Sequence, residues 1–247
     1  MKRYLMLDSW KLKFIAMVWM LCDHLYSTFF WGLPWLTCVG RMAFPIFAFL
    51  IVEGFFHTRD VKAYIRRLLV FALLSELPFN LMSEGGWIFP FHQNVLFSFC
   101  LSLLLLSGLE KCKGRPIVFL LASVGSVLGG FVLGIITMVD YNGFGVLMVL
   151  LFYFAKKVPI ARLEKPIQLA GMLYINGSLM GGLVFPVSFL GREWELPRQG
   201  FAVFSLIFIW LYNGKRGKVS PVLQYACYAF YPLHMLVLGL ILHYIVY

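Results

Sequence analysis

Long apolar runs dominate the chain, and short polar or basic segments separate them. Several runs reach about 20 residues, the length that a helix needs to cross the hydrocarbon of a bilayer. The runs and their boundaries predict about nine helices, with ten as an alternative count. These helices are expected at 12–31, 34–56, 62–82, 93–109, 116–137, 142–156, 166–186, 199–213 and 221–246. The pattern therefore predicts an all-α, polytopic transmembrane bundle that forms a single domain, 1–247.

Composition supports the membrane class, because 61% of the residues are hydrophobic and only 13% are charged. A soluble core cannot absorb so much apolar surface, and the alternating pattern of a transmembrane barrel is absent from the sequence. The basic N-terminus resembles the start of a signal peptide. The apolar run that follows carries Asp23 and His24 and lacks a small-residue cleavage pattern, so we expect a retained first helix. Two predicted helices, 142–156 and 166–186, are short or interrupted by glycines and are candidate re-entrant segments.

The basic residues predict the orientation of the helices in the membrane. Five segments on one side of the nine-helix arrangement hold 18 of the 21 Lys and Arg residues. Cytoplasmic loops carry such an excess, so the N-terminus is predicted to be cytoplasmic and the C-terminus to lie outside. The net charge of +10 therefore indicates membrane topology, and no nucleic-acid partner is expected. The scattered cysteines have no metal-binding spacing, so no metal is expected.

Ionisable residues occur inside the predicted helices, where each charge costs a few kcal/mol unless it has a partner or a purpose. At about 1.5 Å of rise per residue, five of them fall between the midplane and the outer half of the membrane. These five are Asp23, His24, Arg41, Glu76 and His234. One reading is a structural network in which Arg41 neutralises Asp23 or Glu76. Two histidines, two carboxylates and an arginine at one depth favour the other reading, a functional site.

Three further patterns accompany this layer. Lys13 and His24 are eleven residues apart and share one helix face, about 16 Å apart along the axis. This spacing suits a long cytoplasmic donor, although a lysine at a helix end is also common. Pro45 is expected to kink the second helix, and Glu53, four residues before His57, lies near its cytoplasmic end.

A basic cluster lies at the predicted cytoplasmic mouth. Two explanations are equally good: the cluster binds phosphate groups, or it is only the excess of basic residues that cytoplasmic loops carry. The cluster consists of His57, Thr58, Arg59, Arg66 and Arg67. In the last helix Tyr228, Tyr231 and His234 follow at three-residue steps on one broad face, where they are potential partners in proton transfer.

Several sequence blocks carry a family resemblance that runs from about residue 9 to 240. The blocks are MLCDHLYSTFF, GRMAFPIFAFLIVEGFFHTRD with YIRRLLVFALLSELPFNL, NVLFS, RQGFAVFSL with YNGKRG, and YAFYPLHML. Together they resemble the TraX family of membrane proteins, which is associated with N-terminal acetylation of conjugative pilin. They are also similar to the acyltransferase 3 superfamily, in which a basic residue and a histidine separated by ten residues mark the first helix. Lys13 and His24 match that pair, with Lys where Arg is usual.

The resemblance implies a bacterial inner-membrane, multi-pass acetyltransferase that uses cytoplasmic acetyl-CoA as the donor substrate. The expected acceptor is a peptide or pilin-like N-terminal amine at the outer side. His24 is the candidate base, which Asp23 or another carboxylate orients, and Arg41 stabilises the oxyanion or holds the site together. His234 and Tyr231 complete the acceptor side. Lys13, His57, Arg59, Arg66 and Arg67 are candidates for the coenzyme A phosphates, and Glu53 and Glu76 are supporting polar residues.

Three alternatives stay open at the level of sequence. The first is that the acceptor is an envelope glycan or a lipid, which the enzyme O-acetylates. Intramembrane histidines and carboxylates also build proton-coupled transporters, which often have repeated halves. No such repeat is found here, which favours an asymmetric enzyme site. A non-catalytic membrane scaffold would explain the topology, but it would not explain why ionisable residues lie at one depth inside the helices.

Overall fold

The computed structural model describes residues 6–189 and 191–246 and is predominantly helical, as predicted. The expected helices at 62–82, 116–137 and 142–156 are confirmed with ends that differ by one residue. The α-helices are α1 (Ser9–Thr28), α2 (Pro34–Gly40), α3 (Ala43–His57), α4 (Val61–Ser83), α5 (Val95–Cys112), α6 (Pro116–Ile136), α7 (Asn142–Lys157), α8 (Glu164–Leu173), α9 (Ser205–Trp210) and α10 (Pro221–Ile241). Two strands, β1 (Val184–Phe189) and β2 (Arg192–Pro197), complete the regular structure with short 3₁₀ and π turns.

Polar caps fix where several helices begin. The Asp8 carboxylate accepts a hydrogen bond from the Lys11 backbone N–H at the start of α1, and Asp60 accepts one from Ala63 at the start of α4, both at 2.9 Å. Helices α2 and α6 start with a proline, which loses no hydrogen bond at that position. Each cap satisfies a backbone group that the first turn of a helix leaves open.

Four helices among the described residues are long and apolar enough to cross a membrane, which indicates a membrane protein. They are Trp35–His57, Val95–Cys112, Pro116–Ile136 and Val222–Tyr244. Helix α6 also exposes large apolar side chains, with Leu120 64% and Leu128 63% exposed. Apolar surface of this extent suits a lipid surrounding. The complete nine-helix topology and the side of the N-terminus stay predictions.

The predicted helix 34–56 is confirmed as the membrane-crossing stretch Trp35–His57, which a turn at residues 41 and 42 divides into α2 and α3. Helix α2 ends at Gly40, residues 41 and 42 form a turn, and α3 starts at Ala43. Pro45 explains the position of the break, because a proline cannot donate to the carbonyl four residues earlier and its ring clashes with that carbonyl. For Pro45 the carbonyl belongs to Arg41, which therefore lies at the junction of two helices.

The predicted helix 166–186 was wrong in its second half. Helix α8 ends at Leu173, a π-helical turn continues to Leu179, and an antiparallel hairpin of β1 and β2 follows. Gly181 and Gly182 adopt positive φ values of 55° and 96°, which stop a right-handed helix. The hairpin pairs Val184 with Pro197 at its open end. The predicted helix 199–213 begins as a 3₁₀ turn, Arg198–Phe204, before α9.

The described chain divides into two compact units, and the prediction of a single domain stays a prediction. Unit 1 comprises residues 6–47 and 160–231. Helices α1 and α2 pack side by side in it, and the Trp19 ring meets the Phe208 ring edge to face at 4.8 Å. The Trp210 indole N–H donates to the Gln168 amide oxygen at 2.8 Å, which ties α9 to α8.

Unit 2 comprises residues 48–159 and 232–246. Helices α5, α6 and α7 pack against one another around buried residues such as Leu103 and Val146. A Cβ at Gly134 would lie 2.7 Å from the Cα of Gly143, so only glycine allows α6 and α7 to approach this closely.

Candidate functional site

Asp23 lies in the interior of α1 and is held by two side chains from α2 and its end. Its Oδ1 accepts a hydrogen bond of 2.7 Å from the Thr37 hydroxyl, and its Oδ2 lies 3.6 Å from Nη1 of Arg41. The side chains of Asp23 and Arg41 are 20% and 33% exposed. The carboxylate therefore has both a neutral donor and a cation as partners, which offsets the cost of removing it from water.

The spacing of residues in and just after α2 explains how one short helix brings both Thr37 and Arg41 to the Asp23 carboxylate. Thr37, Gly40 and Arg41 are three and four residues apart and so share one helix face. A Cβ at Gly40 would lie 2.3 Å from the Cβ of Asp23, closer than any side chain tolerates. The bare face of Gly40 therefore lets α2 lie directly against α1 at this point. The Arg41 backbone N–H donates to the Thr37 carbonyl at 2.8 Å and keeps this turn closed.

His24 follows Asp23 on α1 and is half-buried. Helical geometry directs its side chain about 100° away from that of Asp23. Its carbonyl oxygen accepts hydrogen bonds from the hydroxyls of Thr28 at 2.7 Å and Ser27 at 3.0 Å. The sequence left open whether Asp23 pairs with Arg41, and the structure forms that pair beside His24.

A cavity of about 180 Å³ opens next to this cluster within unit 1. Arg198 lines this cavity together with Arg41. Its Nη1 donates to the Tyr26 hydroxyl at 2.7 Å, and its guanidinium lies 4.8 Å from the Phe185 ring centre. The Gln199 amide N–H donates to Asn176 at 2.9 Å and so has a fixed orientation. The lining residues are Tyr26, Thr37, Arg41, Met180, Gly181, Gly182, Leu183, Arg198 and Gln199.

Sequence reasoning missed Tyr26, Thr37 and Arg198 as site residues. Tyr26 and Arg198 are 172 residues apart, so no local spacing links them. A signal was nevertheless present, because Arg198 is one of only three Lys or Arg residues outside the five basic segments. It also begins the block RQGFAVFSL.

Lys13 lies three turns before His24 on α1, and its ammonium contacts two aromatic rings. It is 4.7 Å from the ring centre of Trp10 and 5.3 Å from that of Tyr228. Such contacts hold a cation in place and leave its N–H groups able to donate. Tyr231, one turn after Tyr228 on α10, is half-buried in the same unit. Unit 1 thus contains Lys13, His24 and Tyr231 in addition to the Asp23 cluster.

Glu53 lies in unit 2, and the structure gives it a basic partner. The residue is 6% exposed, and its carboxylate forms an ion pair with the Lys156 ammonium from α7. The Nδ1–H of His57 donates to the Glu53 carbonyl oxygen at 2.8 Å, and the same nitrogen lies 3.9 Å from the Glu53 carboxylate. Glu53 therefore fixes both α7 and the end of α3.

Arg59, Arg66 and Arg67 are exposed at the end of α3 and the beginning of α4. No salt bridge within residues 6–189 and 191–246 includes any of the three. Together with exposed His57 they form a basic surface that an anion can reach. Lys2 and Arg3, which belong to the predicted N-terminal basic segment, lie outside the described residues.

Glu76 and His234 also belong to unit 2. Glu76 Oε2 accepts hydrogen bonds from the Asn94 side chain at 2.5 Å and from the Asn94 backbone N–H at 3.2 Å, which joins α4 to the start of α5. His234 is 8% exposed on α10. The single polar layer expected across both units stays a prediction. The part of the chain that the structure describes contains no metal-binding group of His, Cys, Asp or Glu.

Comparison with known proteins places the chain in a family. The TraX protein family model matches residues 9–242, nearly the whole sequence. The chain belongs to the TraX family. A relative of this TraX-family chain is the probable fimbrial assembly protein FimC, serogroup H1, of Dichelobacter nodosus. The two are 34% identical over 43% of this chain and 48% of that protein, so the chain spans about half the length of the curated relative it matches. No solved structure matches the chain.

Proposed function

We propose that this TraX-family protein is an integral membrane acetyltransferase. It transfers an acetyl group from cytoplasmic acetyl-CoA to the N-terminal amine of a peptide or pilin-like acceptor at the outer side of a bacterial inner membrane. Membership of the TraX family supports the reaction class. The four apolar helices support the membrane location. The relative named as a fimbrial assembly protein supports a pilin-like acceptor.

The observation that carries the proposal is the half-buried His24, which follows directly along α1 a carboxylate that Thr37 and Arg41 hold in place. A functional layer inside a membrane protein needs charges that are paired and oriented. Asp23 meets that requirement at the position in α1 where the chemistry is proposed. An imidazole one residue away is the side chain best suited to move a proton near neutral pH.

The proposed reaction needs one base and one electrophile. The neutral imidazole of His24 accepts the proton of the acceptor amine while the amine nitrogen forms a bond to the thioester carbonyl carbon. The carbon–sulfur bond then breaks, and coenzyme A leaves as a thiol that takes the proton from His24. The Arg41 guanidinium stabilises the negative charge that develops on the carbonyl oxygen. Asp23 holds Arg41 in place for this role.

The remaining candidates bind the two substrates in this proposal. Lys13 and the basic surface of His57, Arg59, Arg66 and Arg67 bind the coenzyme A phosphates. The aromatic contacts of Lys13 hold its ammonium at one end of α1. A lysine is a point charge, so it is suited to contact one phosphate oxygen and not to form the two parallel hydrogen bonds of an arginine. Tyr231 and His234 bind the acceptor.

The test uses the purified full-length protein in liposomes with isotope-labelled acetyl-CoA and a mixture of short peptides with free N-termini. Free coenzyme A and acetylated peptide are measured for the wild type, for His24→Ala and for the control His243→Ala. Removal of a general base lowers a rate by about 10²–10⁴-fold, so His24→Ala should lose at least about 100-fold, and His243→Ala should retain wild-type turnover. Thermal unfolding establishes that both variants fold. Wild-type turnover in a folded His24→Ala protein contradicts the proposal, as does a folded wild type that does not bind acetyl-CoA.

A further inference from the structure

Arg198 carries a charge that no carboxylate in the described chain balances. Its guanidinium donates to the Tyr26 hydroxyl and lies against the rings of Tyr26 and Phe185. Its Nε is buried and has no hydrogen-bond partner within the described residues. No salt bridge in that part of the chain includes Arg198. A cation that is partly removed from water without a counterion is costly, so this site favours an added anion.

The charge of the cavity wall defines which anion fits. Arg41 and Arg198 both line the cavity, and Asp23 contributes the one carboxylate beside them. The net charge of this group is therefore about one positive charge. A carboxylate has one negative charge, whereas a phosphate monoester has about 1.5–2 at neutral pH. The planar fork of an arginine also matches the two oxygens of a carboxylate.

The size of the cavity limits how much of a ligand it holds. Its volume is about 180 Å³. Pockets that enclose a whole small molecule are about 300–1,000 Å³. This cavity therefore suits one functional group of a larger molecule. One N–H of the Gln199 amide donates to Asn176, and its second N–H is able to donate to a carboxylate in the cavity.

We propose that this cavity binds a carboxylate of the acceptor, with Arg198 as the principal contact. The assignment of the carboxylate to the acceptor rests on the proposed acetyltransferase function, because the cavity lies beside the Asp23 and Arg41 pair where the transfer is placed. The carboxylate would anchor the acceptor beside the Asp23 and Arg41 pair and select acidic peptides over neutral ones. Arg198 is then a specificity-determining residue, in addition to the residues that carry out the reaction.

The experiment measures acetate binding to the purified full-length protein without acetyl-CoA. Thermal unfolding is followed in increasing sodium acetate, with sodium chloride keeping the ionic strength constant. Ligands that bind only the folded state raise Tm with the logarithm of their concentration. We expect acetate to raise the Tm of the wild type and of the control Arg192→Gln, which removes an exposed charge from the hairpin that precedes Arg198. Arg198→Gln should weaken the apparent acetate affinity by at least about 30-fold.

A second variant covers the case in which Arg198→Gln does not fold. Tyr26→Phe keeps the ring and removes only the hydroxyl that accepts from Arg198, so it should fold and bind acetate more weakly than the wild type. Equal acetate responses in the wild type and in the folded Arg198 or Tyr26 variants would overturn the proposal. So would no response of the wild type, or a stronger response to inorganic phosphate than to acetate. His24→Ala should abolish acetyl transfer and keep the acetate response, which separates the failure of this inference from the failure of the proposed function.

Discussion

At the scale of single residues, the site depends on how α1 accommodates a carboxylate. Thr37 and Arg41 supply a donor and a cation to the two oxygens of Asp23. The sequence suggested Arg41 as a partner because few cations occur inside apolar runs. It did not suggest Thr37, because a threonine in an apolar helix has no distinguishing pattern. Arg198 and Tyr26 were missed for a different reason, since tertiary folding alone brings them together.

Thr37→Val tests the hydrogen bond to Asp23. The substitution keeps the size of the side chain and removes the hydroxyl that donates to the carboxylate at 2.7 Å. We expect the free energy of unfolding to fall by about 1–2 kcal/mol, since hydrogen bonds to charged groups lie at the upper end of those measured between membrane helices. Thr37→Ser retains the hydroxyl and serves as the control. Denaturant titration in detergent compares the three proteins, and equal stability of Thr37→Val and Thr37→Ser would show that the bond contributes nothing.

His92 gives a pH-dependent prediction outside the membrane-spanning helices. It lies in the connection between α4 and α5, where Nε2 is 3.8 Å from Asp140 and Nδ1 is 2.8 Å from Glu84. The two carboxylates, Asp140 foremost, raise the pKa of His92 from 6.5 to about 9. The folded state thus binds this proton more tightly than the unfolded state. The resulting stabilisation is complete below pH 6.5 and is lost as the pH rises through 9.

His92→Gln should therefore lower Tm more at pH 6 than at pH 9.5. Thermal unfolding of the wild type and the variant across this range measures the difference. His243→Gln is the control for loss of a histidine elsewhere. A difference in Tm between wild type and His92→Gln that stays constant from pH 6 to pH 9.5 would contradict the role of the protonated imidazole.

At the scale of elements, local signals predicted most helices and failed where the chain changes direction. Helices α4, α6 and α7 have long apolar patterns with polar or proline boundaries, and their predicted ends were nearly correct. The hairpin of β1 and β2 was missed because VFPVSF continued an apolar run. Its β-branched and aromatic residues between glycines were a strand signal. The break after Gly40 follows from Pro45, which the sequence predicted only as a kink.

Gly40→Leu tests the close approach of α1 and α2. A Cβ at this position would lie 2.3 Å from the Cβ of Asp23, so the larger side chain must separate the helices. Overpacking of this kind costs about 1–3 kcal/mol, and it should also lower acetyl transfer because Arg41 moves away from Asp23. Gly32→Leu is the matched control, because no atom lies within 4 Å of an added Cβ there. Measured stability and turnover that are equal for the two variants would contradict the proposed packing role of Gly40.

At the scale of the whole molecule, we expect a protein that spans the membrane and binds one substrate from each side. The basic segments define the predicted cytoplasmic face, and four apolar helices provide the membrane-crossing length. Composition and the five basic segments predicted this general class from sequence. The division into two units could not be predicted, because each unit combines segments that are far apart in the chain. The TraX family match covers segments of both units, so it does not indicate where one unit ends and the other begins.

We propose that a donor on one side of the membrane and an acceptor on the other meet at the Asp23 and His24 site. The most direct measurement places acetyl-CoA on one side of sealed liposomes and a membrane-impermeant peptide on the other. A cysteine introduced at Gly114, in a basic segment, reports the orientation of the protein through labelling with an impermeant reagent. We expect acetylated peptide, detected by mass spectrometry, only when acetyl-CoA faces the basic segments, and none with His24→Ala. Acetylation that requires both substrates on the same side, or that His24→Ala leaves unchanged, would contradict this proposal.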